Sequence, residues 1–107
     1  KYAKASLTAL GVWDSVQGHL AHAENVRVAL AYGTRGEAPL GIVYTTDAMA
    51  EPRVKIVGQF PDDSHAPILY PIALTKDAKP DAQAFLDYLK GADASAVFRK
   101  AGFIVLK

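Results

Sequence analysis

Gly36-Glu37-Ala38-Pro39-Leu40-Gly41-Ile42-Val43-Tyr44-Thr45-Thr46-Asp47 is the stretch on which the fold turns. It reads as a loop, then a short apolar run at Leu40–Val43, then a polar turn opening with Tyr44. The apolar run suits a strand covered on both faces, as in α/β sheets. Just upstream, Glu24-Asn25-Val26-Arg27-Val28-Ala29-Leu30 has a helical pattern. Positions 26, 29, 30 and 33 are apolar or small and fall on one face. Asn25 stands where an N-cap should, and Gly33 and Gly36 mark the end. The chain therefore presents a helix N-terminus at Val26 and a phenol at a strand end at Tyr44. Amides at a helix start and a hydroxyl can together hold an oxyanion with no cation present.

Downstream, Thr45-Thr46-Asp47 opens a brief helix that Pro52 stops. Val54–Phe60 predicts a second strand, with Val54, Ile56 and Phe60 on one face and Lys55 and Gln59 on the other. Ile68–Thr75 predicts a third, and Pro71 inside it argues for an edge or a crossing between two units. Pro80 fits a first helical turn. Ala82, Phe85, Leu86 and Leu89 mark that helix's face, which closes at Gly91. Ala94, Val97, Phe98 and Ala101 repeat the spacing before Gly102. The apolar tail Phe103–Leu106 calls for burial. At the other end, residues 2–10 predict a helix, with Ala3, Leu7 and Leu10 on one face and Gly11 as its stop. Alternating helices and strands imply an α/β class, here an incomplete sheet with flanking helices.

Composition limits the function classes. The 107 residues suit one small domain. Half are apolar and the net charge is +1, so nothing favours nucleic acid or an anionic membrane as partner. No apolar run approaches the ~20 residues of a membrane helix. The absence of cysteine excludes disulfides, thiol catalysis and thiolate metal sites. The chain starts at Lys1 with an uncapped helix, which predicts that it was processed or cut upstream.

Other chemistry-bearing residues have bland readings. Trp13 reads as a packing anchor against the first helix. His19 and His22 share a helical spacing, but Gly18 intervenes and no third ligand is near, so they read as solvated. Asp62, Ser64 and His65 are adjacent in a polar loop without nucleophile-elbow glycines, so a hydrolase is not indicated.

An ordered set of stretches carries a resemblance. It comprises Tyr2-Ala3-Lys4, Leu10-Gly11-Val12-Trp13-Asp14, Glu24–Arg27, Gly36–Tyr44, Phe60–His65, Tyr70-Pro71, Phe85–Gly91 and Phe98–Phe103. In this order they resemble the C-terminal half of the periplasmic molybdate-binding proteins of ABC transporters, the ModA family, over essentially the whole chain. The resemblance implies the C-terminal part of a two-lobed type II periplasmic binding protein fold. It assigns residues 1–70 to the C-terminal lobe and 71–107 to a crossover strand and helices that return to the N-terminal lobe. It implies binding of molybdate or tungstate for delivery to the membrane permease of an ABC importer, in the periplasm, with no enzyme activity and no cofactor. Val26 matches the family's backbone-amide donor and Tyr44 its tyrosine donor; no metal-cation ligand is implied. The family's serine donors lie in the N-terminal lobe, and one further amide lies just before Tyr2. The chain is thus expected to be a fragment. Its other partner would be that lobe or a second copy, and the alternative is a self-associating fragment without ligand.

Overall fold

Gly36 ends the helix that begins at Val26. In the computed structural model, which describes residues 1–106, this helix is α3, Val26–Thr34. Gly36 follows its C-cap with φ +73°, the left-handed conformation that glycine adopts without penalty. Its amide donates to the Gly33 carbonyl (3.1 Å) and the next amide, of Glu37, donates to that of Tyr32 (2.9 Å). The same pair of bonds closes two other helices, α1 (Tyr2–Ala9) at Gly11 and α6 (Ala92–Lys100) at Gly102. These three stops are local chemistry, and they fall where the glycines predict them.

The chain divides into two compact units, Lys1–Ile68 and Leu69–Lys107. The first contains α1, a short α2 (Trp13–Val16) that runs into a 3-10 turn at Gln17–His19, α3, α4 (Thr45–Met49) and a 3-10 turn at Asp62–Ser64. The second contains α5 (Pro80–Leu89) and α6. Pro80 occupies the first turn of α5, where its missing N–H removes no hydrogen bond.

The expected sheet is absent. Among the described residues there is no strand, so the α/β class and the incomplete sheet with flanking helices are corrected to helices joined by segments that form no ladder. The physical reason lies in what a strand is. Apolar runs of β-branched residues favour extended backbone, but a strand exists only where a second segment supplies its ladder. Residues 40–43, 54–60 and 68–75 have no such neighbour; the non-helical backbone bonds are turns and caps. Pro71 also deletes a donor within the third segment. Several of their apolar side chains stay in water, with Leu40 75%, Val57 77% and Leu69 66% exposed, while Val43, Val54, Phe60 and Ile68 are half-buried.

Buried positions are correspondingly few, and mostly polar. Ala94 is the buried apolar residue among those described, beside Ser6, Asp47, Ser64 and Ser95. On α1, Ala3 and Leu7 are half-buried but Leu10 is exposed, and the position that packs inward is Ser6. Its hydroxyl lies 2.7 Å from that of Ser64. Ser64 already donates its one hydroxyl hydrogen to the Pro61 carbonyl, which can only accept (2.6 Å). Ser6 is therefore the donor in the pair. Tyr2 packs edge-on against His65 beside it, with ring centroids 5.8 Å apart. This contact fastens the 61–65 turn to α1. Removing the acceptor strands a buried hydroxyl, whereas removing the donor leaves Ser64 still bonded. Ser64→Ala should therefore cost about 1–3 kcal/mol of unfolding free energy and Ser6→Ala less. Equilibrium denaturation of the two variants checks the order.

In the second unit, Ala82, Leu86 and Leu89 of α5 and Phe98 of α6 are half-buried, while Phe85 and Val97 are exposed. Phe103 anchors the start of the tail, its ring edge-on to Tyr70 at 5.4 Å and to Phe98 at 6.2 Å. Ile104 and Leu106 beyond it are exposed. Ile72, Leu74, Phe85 and Leu89 help line an open apolar groove of about 290 Å³.

Candidate functional site

The start of α3 is capped in a way that leaves amides open. Asn25 has extended backbone angles (φ −154°, ψ 171°), and its Oδ1 accepts from the amide of Val28 at 3.0 Å. Its carbonyl accepts from Ala29 at 3.2 Å. The cap thus serves the third helical residue and passes over the first. Among the described residues the Val26 amide has no acceptor. It lies at the positive end of a nine-residue helix, where an anion is favoured.

Tyr44 is the N-cap of α4, with extended angles (φ −73°, ψ 147°), rather than the last residue of a strand. Its carbonyl accepts from Asp47 at 3.1 Å and Ala48 at 3.2 Å, and its side chain is half-buried. α3 and α4 pack against each other. Their first turns are joined by an ion pair, Arg27 Nε to Asp47 Oδ1 at 2.8 Å. The two sequence candidates thus sit at the starts of two contacting helices. Segment 54–60 is tied to the same place, because Gln59 Nε2 donates to Thr45 Oγ1 at 2.8 Å.

Sequence reading missed Arg27, Asp47, Thr45 and Gln59. Asp47 carried one usable signal, an acid in a first helical turn. Nothing local pairs it with an arginine twenty positions away.

The other candidates do not form sites. Trp13 is half-buried, with the Lys4 ammonium 5.1 Å from its ring centre. His19 and His22 are exposed, and the described residues hold no cluster of three or more histidine or acidic side chains able to bind a metal. The Ser64 hydroxyl is spent on Pro61, and His65 Nδ1 pairs with the Ala66 carbonyl at 2.8 Å, so the two make no nucleophile and base. Glu51 and Arg53 form a two-pronged pair (2.8 and 3.1 Å). Those hydrogen bonds hold the Glu51 carboxyl down at about 2. An ion pair this exposed contributes little to stability.

Set beside known proteins, the chain matches the family model described as bacterial extracellular solute-binding protein over residues 1–104. The chain belongs to the bacterial extracellular solute-binding proteins. This solute-binding chain is 49% identical to the molybdate-binding protein ModA of Escherichia coli K12 over 105 residues, 97% of its own length and 41% of that protein's. It is 45% identical to ModA of Haemophilus influenzae over 104 residues, 96% of its length and 41% of that protein's. It is 28% identical to ModA of Rhodobacter capsulatus over 97 residues. It therefore spans about two-fifths of the length of these relatives, which are binding proteins and not enzymes. No described helix is long and apolar enough to cross a membrane.

Proposed function

We propose that the full-length protein carrying this chain binds molybdate, or tungstate, in the periplasm and delivers it to the membrane permease of an ABC importer. The observation that carries the reading is the open Val26 amide, at the start of a helix packed against the one that Tyr44 caps. Relatives named as molybdate-binding support the choice of anion. In this reading Val26 donates through its backbone N–H and Tyr44 through its hydroxyl, with no cofactor and no cation. Residues 1–70 belong to one lobe, and 71–107 return to the other lobe, whose hydroxyl and amide donors complete the shell. A hydrogen bond to a charged partner contributes roughly 1.5–3 kcal/mol, so a few fixed donors suffice for tight binding.

Calorimetric titration of the full-length protein with molybdate, tungstate, sulfate and phosphate tests the reading. Tight binding of the first two and weak binding of the others is expected; the absence of heat with all four refutes it. Tyr44→Phe should weaken molybdate binding by about 1.5–3 kcal/mol while the protein stays folded. Wild-type affinity in that variant removes Tyr44 from the site.

A second reading is a self-associating chain with no ligand of its own. The exposed apolar groove of the second unit favours it, because such a surface calls for a cover. Size-exclusion chromatography run beside the titration separates the two readings.

A further inference from the structure

Arg27 directly follows the open amide of Val26. Its guanidinium is 77% exposed, whereas the Asp47 carboxylate it meets is 9% exposed. Burying a carboxylate is costly unless it is paired, so Asp47 holds Arg27 in place more firmly than two surface charges would. Neither helix needs the pair in order to form. Asn25 caps α3 without it, and the Tyr44 carbonyl takes two amides of α4 without it. What the pair adds is a side-chain brace between the starts of two helices that pack against each other. Thr45, held by Gln59, fixes the same turn of α4 from another side.

We propose that Arg27 and Asp47 are positioning residues that set the spacing of the Val26 amide and the Tyr44 side chain, and so the size of oxyanion the site accepts. The proposal rests on the molybdate reading above. Molybdate and sulfate are both tetrahedral dianions, so charge cannot separate them; donors held at a fixed spacing can. Arg27 itself does not bind the anion, because its charge is already answered by Asp47.

The test uses the full-length protein, with molybdate and sulfate as probes in calorimetry and the ligand-free unfolding temperature as control. Arg27→Met and Asp47→Asn should each lower molybdate affinity roughly tenfold and lower sulfate affinity less, narrowing the ratio between them. The double variant should be no worse than either single one. The exchanged pair Arg27→Asp with Asp47→Arg should regain part of the loss. Tighter molybdate binding in Asp47→Asn would mean that the freed arginine grips the anion, and would overturn the proposal. So would single variants that keep both affinity and ratio, even where their unfolding temperature falls, since the pair would then be structural only. A wild-type protein that binds neither anion overturns the underlying reading; a wild-type binder with indifferent variants overturns the brace alone.

Discussion

Val26→Pro should lower molybdate affinity by about 1.5–3 kcal/mol, roughly ten- to 150-fold, while leaving α3 intact. The substitution deletes one N–H and little else. Val26 is the first residue of α3, where proline is tolerated because its amide bonds nothing within the helix. Asn25 before it already has the extended conformation that a following proline demands. Its side chain caps Val28, so the cap survives as well. Val26→Ala keeps the amide and trims a half-buried side chain, and should bind within a few-fold of wild type. Calorimetry on both variants, with circular dichroism for helix content, decides the matter. Equal losses in the two would assign the effect to the side chain and end the backbone-amide assignment.

The helix start at Val26 was readable because the rules that mark it are local. An asparagine before an apolar helical face is a cap signal, and the cap bond to the third residue follows from side-chain length. The glycine stops at 11, 36 and 102 were readable for the same reason: each depends on four or five consecutive residues. Tyr44 was placed at a helix start, but its strand was not there. Leu40–Val43 has the composition of a buried strand, yet composition fixes only a preference for extended backbone. Pairing is a property of two segments, and one segment's sequence does not contain it. The Arg27–Asp47 bridge escaped for a related reason. It joins residues twenty apart through packing of two helices, and neither periodicity nor capping encodes that approach. On α1 the helical face was read as Ala3, Leu7 and Leu10; Ala3 and Leu7 are half-buried, but the buried position is Ser6, because the 61–65 turn offers it a hydroxyl partner that the helix pattern cannot reveal. The resemblance, by contrast, drew on the order of many short stretches at once, and the family match over residues 1–104 bears it out.

The polypeptide 1–107, expressed alone, should not sediment as a monomer. Its second unit leaves Ile72 55%, Phe85 62%, Val97 67% and Ile104 85% exposed. Fully burying each such side chain is worth roughly 1.5–3 kcal/mol, against a whole-domain stability of about 5–15 kcal/mol. A helix pair with one buried apolar residue, Ala94, has little internal reason to stay folded. Such faces call for a cover, and in the isolated chain a second copy is expected to supply it through the same faces. Phe85→Glu should then lower the sedimentation coefficient of the isolated chain and speed amide exchange in α5 and α6. In the full-length protein the same change should lower the unfolding temperature while leaving the Val26 amide and the Tyr44 side chain in place. A monomeric wild-type chain whose α5 and α6 amides resist exchange would show that these faces need no partner.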